Sequence, residues 1–325
     1  MPARYVESRP YDFSRDCPVW ERSPIWRSEL NRLRRASTVL KYWSVIGGVL
    51  ALTAMLVVGG CGATRTGRTV VPIAMDPAEL TPPADSLGLT THDSAVRGIA
   101  GILVKDLKLP VPEQVTVYVY ASRQVFEQGL IHDAQVSPVR AAELSDFAIG
   151  VGKRRQLLFN DEAYETRGKE WLRLVAHELA HVSQIELAQG EGRAEQWLAE
   201  GMAEWVAFTV LERLGLDTLV QRRTVARGGI RSHAALVAAR LDLDTLGSPR
   251  GFTVRHLREG SLPTYQLAFL MADYLITRDG LPKVVDYFRS FAQRQNRFDN
   301  FRRAFGQSLG EFEHEVLGHL KTVTR

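Results

Sequence analysis

The chain is predicted to fold as an α+β protein, with a small mixed sheet and its helices leading into a mainly helical C-terminal half. Three observations predict this. Short runs with strand-like alternation fall between residues 115 and 160, and from Ala194 onward apolar residues recur at helical spacing. About 230 residues of ordinary apolar content follow residue 92, enough to bury one core.

Taken in order, residues 1–41 form a basic leader that is long for the charged start of an export signal, so Leu30 or Leu33 is a candidate true start. Residues 42–60 are an uncharged, nearly unbroken apolar run behind Arg32, Arg34, Arg35 and Lys41. Its end, Leu56-Val57-Val58-Gly59-Gly60-Cys61, resembles a bacterial lipobox, which implies cleavage and lipidation of Cys61. Gly62 after it, rather than Asp, resembles the outer-membrane-destined kind if the host has two membranes. The alternative is an uncleaved single-pass anchor, since a run of this length also spans a bilayer. Both put the protein in the cell envelope, facing the periplasm or exterior, because the positive flank stays inside. Residues 62–92, with Pro72, Pro77, Pro82 and Pro83, read as a linker.

A domain is then expected over residues 93–325. Ser94 to Lys108 has helical apolar spacing, Val115 to Tyr120 alternates as a strand, and Arg123 to Leu130 is a short helix. Ala148 to Val151 and Gln156 to Asn160 suit a hairpin across the basic turn Lys153-Arg154-Arg155. Trp171, Leu174, Val175 and Leu179 form an apolar stripe that anchors a helix running to Ala188. Gly190 and Gly192 break it and permit a reversal into a second helix near Ala194.

The first of these two helices carries His177-Glu178-Leu179-Ala180-His181, and the second carries Glu200 after 18 intervening residues. Residues four apart share a helix face, so His177 and His181 can aim ring nitrogens at one point about 2 Å from each. Glu178 is rotated away from that point and is left free to take a proton from water held at the metal. Glu200, returned by the helix reversal, completes a two-histidine, one-carboxylate set for a single Zn²⁺ with its fourth position open. Glu204 lies one turn further along the same face and is a candidate to accept the N–H of a ligand histidine.

These residues, with Trp197-Leu198-Ala199-Glu200-Gly201-Met202-Ala203-Glu204-Trp205, resemble the gluzincin metallopeptidases, in particular peptidase-MA-like domains related to thermolysin and the membrane alanyl aminopeptidases. The likeness is specific only over 171–208. A weaker echo runs through Leu262-Pro263-Thr264-Tyr265-Gln266, Leu281-Pro282 and Phe305-Gly306-Gln307-Ser308. The resemblance implies a zincin-like, two-lobed catalytic domain, peptide or protein substrates, and a tyrosine that meets the developing oxyanion. Tyr265 matches that tyrosine in order and spacing. His256 and His233 are the rival electrophilic groups, each read first as a surface or loop histidine. In relatives, the strand before the zinc helix borders the cleft and accepts substrate along its edge; Gln156–Asn160 or its partner is the candidate. The Gly-x-Met-Glu-Asn stretch with which aminopeptidases hold an α-amine is missing. An idle relative that binds peptides without cleaving them is the alternative function.

Composition narrows the partners. Residues 1–60 hold nine Lys/Arg against five Asp/Glu, which accounts for the whole net charge of +4, so the remainder is neutral and carries no nucleic-acid footprint. The two cysteines are Cys17 and Cys61; cleavage at Cys61 leaves no internal disulfide and no free thiol nucleophile.

Overall fold

The computed structural model describes residues 67–163, 168–190 and 194–325. The leader, the apolar run 42–60 and Cys61 lie outside the described residues. Within them, no helix is long and apolar enough to cross a membrane.

Strand β1 (Arg68–Ala74) opens a four-stranded sheet, followed by helix α1 (His92–Lys105) and strand β2 (Gln114–Tyr120). Helices α2 (Arg123–His132) and α3 (Pro138–Phe147) precede the hairpin of β3 (Gly150–Lys153) and β4 (Gln156–Asn160). The order across the sheet is β1-β2-β4-β3, with β2 and β4 parallel and both outer pairs antiparallel. Alternation along the inner strands divides the side chains between two faces. Val115, Val117, Leu157 and Phe159 join the main core, whereas Tyr120 and Leu158 join a smaller cluster with Phe126, Leu130 and Ala141.

β1 corrects the expected linker. From Gly67 onward the 62–92 segment is part of the domain: β1 pairs along its whole length with β2, and Ile73, Met75, Leu80 and Leu89 are buried. Pro72 hid it, because a proline argues against a central strand; β1 lies at the sheet edge, where a missing N–H is tolerated.

Two helices place the site. α4 (Lys169–Ala188) lies against β3, and its chain reverses through Gln189, which adopts the left-handed conformation at φ 55°. α5 (Gln196–Arg213) packs on α4. The remainder is helical: α6 (Leu219–Ile230), α7 (Ala234–Val237), α8 (Leu243–Leu246), α9 (Pro249–Glu259), α10 (Ser261–Asp279), α11 (Leu281–Arg289), α12 (Arg297–Phe305) and α13 (Leu309–Val323). α10 crosses α5 at Gly201, where an added Cβ would sit 2.2 Å from the Ala268 carbonyl oxygen. Only glycine allows the two backbones to approach so closely.

Candidate metal centre

His177 and His181 project from one face of α4, and Glu200 faces them from α5. His177 Nε2 lies 3.1 Å from His181 Nε2 and 3.3 Å from Glu200 Oε2, and His181 Nε2 lies 3.4 Å from the same oxygen. Three ligand atoms at about 2.0–2.2 Å from a tetrahedral zinc stand roughly 3.3–3.5 Å apart, so the triangle is of the right size. The donor set of two imidazoles and one carboxylate is the kind zinc takes.

Each ligand is held from behind. Glu204 Oε1 lies 3.2 Å from His177 Nδ1 and accepts from Arg173 Nη1 at 2.7 Å. His181 Nδ1 lies 3.0 Å from Gln184 Oε1, while Gln184 Nε2 donates to the Ala199 carbonyl at 2.9 Å, tying α4 to the residue before Glu200. Gln196 Nε2 donates to Glu200 Oε1 at 2.8 Å, which leaves Oε2 for the ligand triangle. Such partners fix ring tautomer and carboxylate orientation. Gln184, Gln196 and Arg173 were missed in the sequence, although each stands three or four residues from a ligand on the same helix.

The electrostatics favour a divalent cation. Burial pulls the His177 imidazole down, but Glu200 and Glu204 outweigh it and push the group up to about 10. Burial likewise opposes charge on Glu204, yet Arg173 and His177 hold its carboxyl at about 2. Glu200 is held well below the carboxylate range against burial by both imidazoles. With both imidazoles neutral, as metal ligands are, the carboxylates of Glu200 and Glu204 stand against the single guanidinium of Arg173, and a divalent cation would take the place of the imidazole protons.

Glu178 is buried on the same helix beside the triangle, and burial raises its pKa against the pull of both imidazoles. Its Oε2 accepts from the Gly152 amide at 2.6 Å. β3 is the free edge of the sheet at this end. The Asn160 amide bonds Ile149, so alternation turns the outward N–H and C=O groups of Gly150 and Gly152 away from β4. Gly152 is required by the approach of α4, since a Cβ there would lie 2.4 Å from the Glu178 carbonyl oxygen; one on Gly150 would stand in tight contact, 3.0 Å from Glu178 Cγ.

Tyr265, in the second turn of α10, has its ring centroid 6.2 Å from that of His177 and 5.9 Å from that of His256. Burial first, then the three carboxylates, keep its phenol protonated well above the usual range. His256 and His233 are corrected from surface histidines to buried ones. His256, on α9, lines the cleft, packs on Phe147 at 4.3 Å between centroids and is held neutral by burial. His233 accepts from the Ala235 amide at 3.2 Å, and its Nε2 lies 2.9 Å from Glu259. It caps α7 and takes no part in the cleft lining.

The centre lies in a cavity of about 490 Å³ lined mainly by apolar side chains, among them Leu144, Phe147, Ile185, Phe252 and Phe288. His177, His181 and Glu200 could hold a metal, with the buried carboxylate of Glu178 beside them and the Tyr265 phenol in the same cavity lining, a set that suits addition of water to a polarised carbonyl. No known protein family, curated protein or solved structure matches the chain.

Proposed function

We propose that this protein is a zinc-dependent peptide hydrolase of the gluzincin type, on a zincin-like two-lobed domain, held outside the membrane by lipidated Cys61 or by the apolar run 42–60. The observation that carries the reading is the triangle of His177 Nε2, His181 Nε2 and Glu200 Oε2, with edges of 3.1, 3.3 and 3.4 Å, beside the carboxylate of Glu178. When bound, zinc supplies Lewis acidity toward the scissile carbonyl and makes water a nucleophile near neutral pH.

The chain's own residues do the rest. Glu178 takes the proton of the attacking water and passes it to the leaving amine, and its raised pKa suits both halves of that transfer. Tyr265 donates to the carbonyl oxygen as negative charge gathers there. Glu204, Gln184 and Gln196 keep the ligands aimed. The outward groups that remain on β3, the N–H and C=O of Gly150 and the C=O of Gly152, bond the substrate main chain, and the apolar lining excludes bulk water.

The test is metal analysis of the full chain in detergent, together with digestion of a diverse peptide library. One zinc per chain and cleavage are expected, with Glu178→Gln keeping the zinc and losing turnover. Absence of stoichiometric metal at neutral pH, or normal turnover by Glu178→Gln, overturns the reading.

A further inference from the structure

Resting on the hydrolase reading above, we infer that the site takes an internal stretch of polypeptide laid across the metal centre, and that it prefers a carboxylate side chain on the side of Arg140 and Lys153. Two cavities meet at the centre. The first, about 490 Å³, includes Arg140 and Lys153 in its lining; the second, about 360 Å³, is lined by Leu174, Phe208, Val225, Leu262 and Phe269. Gly150, His177, Glu178, His256 and Tyr265 line both. The reacting position therefore lies where the cavities join and not at a closed end. A third cavity of about 520 Å³ shares Ala194, Gln196 and Pro249 with the first and prolongs the groove toward Arg297. A bound chain has room to leave in both directions.

The charges deny a chain terminus its anchor. A free α-amine is a cation at neutral pH, with an ordinary pKa of about 8, and holding it in a cleft calls for a carboxylate. In the first cavity the lining carboxylates are Glu178 and Glu200, both engaged at the metal centre, and the other charged groups, Arg140 and Lys153, have the wrong sign. In the second, the buried Glu204 accepts from Arg173 at 2.7 Å, and Glu170, half exposed like Glu143, differs from it in being held by two guanidinium groups, Arg173 at 2.8 Å and Arg222 at 3.0 Å. Those two arginines are thereby taken from a terminal carboxylate as well; Arg222 also donates to Asp217 at 2.7 Å.

Arg140 differs. Its partner Glu143 is half exposed and its other contact is the Thr253 hydroxyl at 3.2 Å. An exposed pair of this kind contributes little, so the guanidinium can turn to an incoming carboxylate at small cost. Lys153 lines the same cavity, its Nζ donating to the Ala134 carbonyl at 2.9 Å. Because the first cavity continues into the third, the carboxylate that Arg140 meets belongs to a side chain of a passing polypeptide.

The test uses the zinc-loaded full chain and paired peptides, free-ended or N-acetylated and C-amidated, with Glu or Lys placed on either side of the cleaved bond, products being located by mass spectrometry. Blocked peptides are expected to be cut at internal bonds within about twofold of their free counterparts, and Glu peptides about tenfold faster than Lys peptides. Arg140→Glu is expected to reverse that preference. Binding gives a second readout: fluorescence anisotropy of a labelled, blocked acidic peptide on Glu178→Gln, weakened about tenfold when Arg140→Glu is added at unchanged Tm. Release of single residues from a free end, with blocked peptides at least tenfold slower, overturns the inference and leaves the hydrolase reading standing. Equal rates for Glu and Lys peptides remove the charge preference. No cleavage of any peptide by zinc-loaded protein sinks the hydrolase reading and this inference together.

Discussion

The Gly152 amide donates a 2.6 Å hydrogen bond to Glu178 Oε2, joining the free edge of the sheet to the proposed general base. One carboxylate oxygen is thus aimed by backbone, which no side-chain substitution elsewhere can replace.

Gly152→Ala tests that bond. The new Cβ would meet the Glu178 carbonyl oxygen at 2.4 Å, so β3 must move off α4 and the amide with it. Overpacking of this kind costs about 1–3 kcal/mol. A lower Tm and at least a tenfold fall in kcat with zinc content retained are expected from calorimetry, kinetics and metal analysis; wild-type kcat at unchanged Tm would show that the bond does not aim the base.

Removing Glu204 should loosen the metal without removing a ligand. Glu204→Ala leaves His177 Nδ1 and Arg173 without their shared carboxylate, and losses of this type weaken zinc about 10–100-fold. Competition with a chromophoric chelator measures the affinity. An unchanged dissociation constant would reduce Glu204 to a partner of Arg173 alone.

Tyr265→Phe removes one hydroxyl from a partly buried ring and keeps its packing on Phe252, whose centroid is 5.5 Å away. Loss of an oxyanion donor lowers kcat about 10²–10³-fold with KM little changed. His256→Ala is expected to cost less, and steady-state kinetics of the two variants rank them. The reverse ranking would transfer the role to His256.

The metal-free protein should be most stable in mildly acidic solution. His177 is raised from 6.5 to about 10, so its contribution is complete below pH 6.5 and disappears as pH climbs through 10. Glu204 is lowered from 4.5 to about 2, so its contribution is complete above pH 4.5 and disappears as pH falls through 2. Thermal melts in chelator should show Tm highest between about pH 4.5 and 6.5 and falling toward pH 9. A Tm that climbs steadily from pH 6 to 9 would contradict the assigned charges.

The site was legible where its logic is local. His177, Glu178 and His181 share one helix and obey its period; the helix does end before Gly190, although Gln189 takes the left-handed turn and Gly192 lies outside the described residues. Gln184 and Gln196, three and four residues from His181 and Glu200, carried a readable spacing that only the fold turns into hydrogen bonds. Gly152 and Arg140 carried none, and His256 only its residue type, since their place depends on how β3, α3 and α9 come together around the cavity across long stretches of chain. Helix α3 had its signal in Ser137-Pro138, a cap followed by proline at the first turn. β1 was hidden by Pro72, and its burial pattern leaves only Ile73 fully inside.

The contact of Gly201 with the Ala268 backbone has a mechanical consequence. Glu200 stands beside that crossing and Tyr265 one turn before it, so a metal ligand and the phenol belong to two rods touching at their axes and shift only as one body. β3 is tied to α4 in the same way, Gly152 standing against the Glu178 carbonyl oxygen, so any breathing that admits a substrate falls to α3, which borders the cavity through Arg140, Leu144 and Phe147.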